Sequence, residues 1–178
     1  KGIKVMVVTN SLAATDVGIV HSGYARYRHE LVKSGVWLYE MRPDAKRVQP
    51  KTEATNKTTR DTSFIGDSAR ASLHAKAFFI DRRTTFIGSL NLDPRSVLIN
   101  TEVGVVIDNE DLAATASDSI QAVLRDNAFQ VLLDEEGELF WLGHDEGVAT
   151  RYETEPLVSA WRRFGVWFLG LLPLESQL

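Results

Sequence analysis

His74-Ala75-Lys76-Ala77-Phe78-Phe79-Ile80-Asp81-Arg82-Arg83-Thr84-Thr85-Phe86-Ile87-Gly88-Ser89-Leu90-Asn91 consists of two strand-like runs joined by the polar piece Asp81–Thr84. A hairpin closed at that piece has paired positions summing to 165, which sets Lys76 opposite Ser89 and His74 opposite Asn91. Paired residues share a face, and the period of two puts His74 and Lys76 on it together. An imidazole, an ammonium, a hydroxyl and an amide then converge at the open end, and such a set suits a phosphate: Lys76 supplies charge, Ser89 and Asn91 donate hydrogen bonds, and His74 attacks or moves a proton. Gly88 would let a ligand approach the backbone closely. Asp81 has the other parity and lies roughly 16 Å from Lys76 along a strand, which takes it off the chemical face. A hairpin whose polar face is merely solvated fits the same pattern.

Outward from this hairpin, strand and helix patterns alternate. Ile3–Val8 is an apolar, β-branched run fit for an interior strand, and it opens into the polar loop Thr9-Asn10-Ser11. Tyr24, Tyr27, Leu31 and Val32 recur at helical spacing between Ile19 and Ser34, and Ser34-Gly35 ends that helix. Val36–Met41 reads as a second strand, parallel to the first. The polar stretch Arg42–Arg70 reads as a long surface loop. Leu73–Ile80, Thr84–Gly88 and Thr101–Asp108 read as strands, Leu112–Asp126 as a helix entered through Asn109, Glu110 and Asp111, and Phe129–Asp134 and Leu139–Leu142 as strands about the turn Glu135-Glu136-Gly137. The class is α/β, a mixed central sheet flanked by helices.

The 178 residues suit one domain, 44% of them apolar, and the start at Lys1 inside a strand pattern is expected for a fragment of a longer chain. With no cysteine there is neither a disulfide framework nor a thiolate metal site. The net charge of −4 provides no global field for nucleic acid or anionic lipid, so an anionic substrate depends on local groups.

The stretch His74–Asn91 matches the signature of the phospholipase D superfamily at every fixed position: His74, Lys76, Asp81, Gly88, Ser89 and Asn91, six residues over eighteen positions. The resemblance implies an α-β-α sandwich forming one half of a pseudo-two-fold enzyme. It also implies that His74 is the nucleophile that forms a phosphohistidine or, in the partner role, the general acid and base. Lys76, Ser89 and Asn91 would bind the phosphoryl oxygens, with Asp81 and Gly88 completing the motif and no metal or other cofactor taking part. Glu102, the carboxylate of the apolar run Glu102–Ile107, sits where the family places an acidic residue that orients the imidazole; a strand-end surface charge is the other reading.

The resemblance extends along the chain. Thr9–Asp16, His21–Arg28 and the ending Trp161–Glu175 are similar to the C-terminal half of bacterial cardiolipin synthases of this superfamily, particularly the C form. That similarity implies phosphatidyl transfer between phospholipids at the cytoplasmic face of the inner membrane, with lipid hydrolysis or a catalytically silent membrane-associated module as the alternatives. Residues 1–178 would be one such domain with an amphipathic tail at 156–178. The second signature would come from a missing N-terminal half or from a second chain. Asn10 and Ser11 follow the first strand at the end where open α/β sheets bind ligands, and with His21 they are candidate substrate-binding residues. Thr15 and Asp16 equally suit a helix cap. Lys51, Lys57 and Arg60 could meet headgroups or simply be solvated. Phe164–Leu172 is far short of the roughly 20 residues that span a bilayer, so the tail lies in the membrane interface or docks as a helix on protein. A nucleic-acid partner is not expected.

Overall fold

The computed structural model describes residues 2–15, 18–45, 73–74, 76–91 and 99–170. Asp16, Lys51, Lys57, Arg60 and the motif Leu172–Glu175 lie outside them. A five-stranded mixed sheet forms the centre, in the order β1 (Met6–Asn10), β2 (Trp37–Met41), β6 (Ala128–Leu133), β7 (Leu139–Asp145), β8 (Val148–Tyr152). β1 and β2 run parallel, as a strand–helix–strand crossover requires, and the remaining pairs are antiparallel. A second sheet holds β3 (Ala77–Ile80), β4 (Thr84–Gly88) and β5 (Gly104–Asp108), all antiparallel.

Helices cover both faces of the central sheet. Leu38, Phe129, Val131 and Trp141 form the buried core on one face, packed by Tyr24 of α1 (Gly18–Ala25) and Val32 of α2 (Arg28–Lys33). On the other face, Gln121, Leu124 and Arg125 of α3 (Glu110–Asn127) line a cavity of about 250 Å³ with Tyr39, Gln130 and His144. Asn109 caps α3 by accepting the Leu112 N–H at 2.9 Å, and Glu110 and Asp111 place negative charge at its N-terminus. α3 also packs on β3 and β4, so it spans the two sheets.

Several expectations are corrected. β1 is a half-buried edge strand among the described residues, and Ile3 lies outside it, 80% exposed. The expected single helix 19–34 is two helices, separated by a tight turn in which the Tyr27 N–H donates to the Tyr24 carbonyl at 3.0 Å. β3 begins at Ala77 rather than Leu73. The aromatic strand runs on to Asp145, and the two-residue turn Glu146-Gly147, both at positive φ, returns it as the unexpected β8.

The hairpin register also differs. Observed pairs such as Phe78↔Phe86 and Ile80↔Thr84 sum to 164, not 165. Thr84 belongs to the strand, leaving a three-residue turn, Asp81–Arg83, with Asp81 and Arg82 at φ 50° and 56°. That one-residue slip sets Lys76, rather than its neighbour, against Gly88, whose N–H donates to the Lys76 carbonyl at 3.0 Å. The four polar groups therefore do not share a face through the pleat.

Candidate active site

Two side-chain pairs stand out among the candidates, one on the segment entering β3 and one joining the end of β4 to the entry of β5. His74 and Lys76, two residues apart on the extended segment leading into β3, bring Lys76 Nζ to 3.3 Å from His74 Nε2. Lysine has only donors, so a hydrogen bond between the two would need Nε2 as its acceptor. A phosphoryl oxygen entering between the two groups would take over the ammonium donor. Asp81 begins the turn at the opposite end of β3, as the spacing anticipates.

The second pair is Ser89 and Glu102. β4 ends at Gly88, and Ser89 turns its hydroxyl toward the chain entering β5: Oγ donates to Glu102 Oε2 at 2.5 Å and accepts the Val103 N–H at 3.0 Å. The Ser89 N–H donates to the Val103 carbonyl at 2.8 Å. Glu102 is thus held by Ser89 at the mouth of the sheet. Asn91 is exposed two residues further on.

Strand packing requires the glycine at position 88. It pairs with Gly104, and a Cβ on Gly88 would lie 2.6 Å from the Val103 carbonyl oxygen, 2.8 Å from Phe86 Cζ and 2.9 Å from Gly104 Cα. The Phe86 ring fills the space above both glycines, with Phe78 across the hairpin at a centroid distance of 5.4 Å. Two of the three clashes are with backbone, which cannot swing aside. Gly88→Ala is therefore expected to destabilise the protein by about 1–3 kcal/mol, read as a lowered denaturant midpoint at unchanged slope.

The three candidate substrate-binding residues have internal partners. Asn10 bonds the backbone of Leu73 twice, Oδ1 accepting its N–H at 2.7 Å and Nδ2 donating to its carbonyl at 2.9 Å. Ser11 is buried, and its Oγ accepts the Ala14 N–H at 3.2 Å. His21, 3% exposed, puts Nε2 within 2.9 Å of Arg28 Nη2 and 3.2 Å of Glu155 Oε1.

His21 belongs to a buried charge network centred on Arg28 and Glu40. Tyr24 Oη and Trp141 Nε1 donate to the two Glu40 oxygens at 3.0 and 2.9 Å. Arg28 Nε stands 2.9 Å from Glu40 Oε1, close as an ion pair but not aligned as a hydrogen bond, while Nη2 donates to Glu155 at 3.0 Å. The guanidinium is packed between the Tyr24 and Trp141 rings, with its carbon 5.2 and 5.1 Å from their centroids. Burial raises the Glu155 pKa, but hydrogen bonding to His21 and the Arg28 charge outweigh it and hold the carboxyl below its ordinary range. Burial likewise works against the Arg28 charge and is outweighed by Glu40, Tyr24 and Glu155. Sequence reading missed this network, although a lone carboxylate within the apolar run Val36–Met41 was a signal for it.

Residues 1–124 match the family model described as "Cardiolipin synthase, PLD-like domain". The chain belongs to this family of phospholipase D-like domains. Over all 178 residues the domain is 43% identical to cardiolipin synthase C of Escherichia coli (strain K12), covering 36% of that protein. It is 34% identical over 180 aligned residues to an uncharacterized protein of Helicobacter pylori (strain ATCC 700392 / 26695), covering 32% of it. Over 131 residues, 74% of this chain, it is 26% identical to cardiolipin synthase B of Salmonella typhi. This PLD-like domain thus spans about a third of the length of the first two relatives. No solved structure matches it.

Proposed function

We propose that the domain is one catalytic half of a phosphatidyltransferase that makes cardiolipin from two glycerophospholipids. The observation that carries this reading is the 3.3 Å contact between exposed His74 and half-buried Lys76, in a chain of the cardiolipin synthase, PLD-like family. His74 Nε2 attacks the phosphodiester phosphorus of the donor lipid, and the bond to the headgroup oxygen breaks. That oxygen leaves as an alcohol, protonated by the second imidazole of the full site. A hydroxyl of the acceptor lipid then attacks the phosphohistidine, giving up its proton to the same imidazole, and His74 is released. Lys76 balances the phosphoryl charge, Asn91 is a further donor to it, and Ser89 holds Glu102 at the site to orient the imidazole.

Two features support a half-site. Relatives about three times as long leave room for a second signature. One face of β4 and β5, with the residue leading into β5, also exposes Ile87, Val105 and Val103, the last at 72%, an apolar surface that a second half or a second chain would cover. At the membrane, α4 (Ala160–Gly170) docks on α1 through Val166 against Gly18 and through Arg162 donating to the Thr15 carbonyl at 2.6 Å. Its exposed Trp161, Phe164, Trp167 and Phe168 suit the headgroup region of the cytoplasmic leaflet. Among the described residues no helix is long and apolar enough to cross a membrane.

The test is to incubate the full-length protein with labelled phospholipid vesicles and identify the product, with and without a chelator. Cardiolipin in both samples is expected. Phosphatidic acid alone would replace the transferase with a hydrolase, and loss of product on chelation would overturn the metal-free route.

A further inference from the structure

We infer that Asn10 is a positioning residue for His74: its side-chain amide takes the place of a strand partner for Leu73 and so fixes the peptide that carries the imidazole. The inference rests on the catalytic role proposed for His74. β3 begins at Ala77, so the hairpin ladder does not extend to His74, and the downstream anchor of the segment is the Gly88 N–H bonded to the Lys76 carbonyl at 3.0 Å. Upstream, Asn10 holds both polar backbone groups of Leu73, the N–H at 2.7 Å and the carbonyl at 2.9 Å. That carbonyl belongs to the peptide unit whose nitrogen is His74, so holding it sets the plane from which the His74 side chain departs. A carboxamide presents one acceptor and one donor with the spacing of a backbone rung, and among polar side chains only Asn and Gln do so without charge.

Asn10 is itself rigid. It is the last residue of β1, paired with Met41, and the Ser11 N–H after it donates to the Met41 carbonyl at 3.2 Å. A fixed strand end in the central sheet therefore sets the position of a reactive group on the segment that leads into the second sheet. Exposed hydrogen bonds of this kind add little to global stability, whereas misplacing a reacting atom by an ångström lowers the rate strongly. Catalysis and stability should therefore respond unequally to the loss of Asn10.

The experiment measures kcat and KM of the full-length protein on labelled phospholipid vesicles for wild type, Asn10→Ala, Asn10→Asp and His74→Ala, with the thermal midpoint of each. For Asn10→Ala, kcat is expected to fall about 10- to 100-fold with KM unchanged and little shift in midpoint. Asn10→Asp keeps the acceptor for the Leu73 N–H and loses the donor to its carbonyl, so it should show the same kcat loss in smaller measure; it decides the matter if Asn10→Ala does not fold. A raised KM at unchanged kcat would make Asn10 a substrate contact and overturn the inference, as would wild-type kinetics. His74→Ala separates the two levels. If it is inactive while the Asn10 variants are normal, only the positioning role fails; if it is active, the functional reading fails.

Discussion

His74→Ala is expected to lose lipid product by about 10³-fold or more while the protein stays folded, because the proposed step would lose its nucleophile. The side chain is exposed and lies 3.3 Å from the Lys76 ammonium, so truncation creates no cavity and leaves no buried charge. Stability should remain within about 0.5 kcal/mol of wild type, the range for surface positions without special contacts. Labelled-lipid turnover and circular dichroism on the same preparation check both halves of the expectation. Retained turnover in a folded variant would remove His74 from the chemistry, and the roles assigned to Lys76 and Ser89 would go with it.

Glu40→Ala has the largest expected effect on stability, a loss of about 3–5 kcal/mol. Glu40 is 0% exposed and is the shared acceptor of Tyr24 and Trp141 and the counter-charge of Arg28. Removing it strands a buried guanidinium, a hydroxyl and an indole N–H at once; Glu155 remains beside Arg28, which is why the loss stays finite. Against a typical total of about 5–15 kcal/mol, this could unfold the domain at physiological temperature. Equilibrium denaturation gives the number. The double variant Glu40→Leu with Arg28→Met should recover part of it, since the charge that needed Glu40 is then gone. A single-variant loss below about 1 kcal/mol would show that water already compensates the network. In either case kcat per folded molecule should change little, because the network lies under α1 and α2 in the central sheet and His74 leads into the other.

How legible the site was depended on the range of the interactions involved. The residue types of the signature and the strands carrying them could be read because period-two apolar runs and their polar ends are local features. The hairpin register could not, since it turned on whether Thr84 joins the turn or the strand, and the pair Ile80↔Thr84 decides that through α-left backbone at Asp81 and Arg82. β8 was readable in principle: Asp145-Glu146-Gly147 resembles the turn Glu135-Glu136-Gly137 that was recognised, and both glycines have positive φ. The packing demand on Gly88 was not readable, because sequence shows the missing side chain but not the Phe86 ring and β5 backbone that use the space.

By itself the sequence determined the α/β class and the order of most strands and helices, because propensity and periodicity act over a few residues, and it marked His74, Lys76, Ser89 and Asn91, with Glu102 through the family resemblance, as candidates. Tertiary structure alone decided which of these meet. It divided the strands into two sheets, paired Ser89 with Glu102 across a gap of thirteen residues, joined Asn10 to Leu73 across sixty-three, and buried His21 against Glu155, 134 residues away. Contacts of that separation form only when the chain is closed over its core, and they are chosen by the burial and hydrogen-bond satisfaction of the whole rather than by any local pattern.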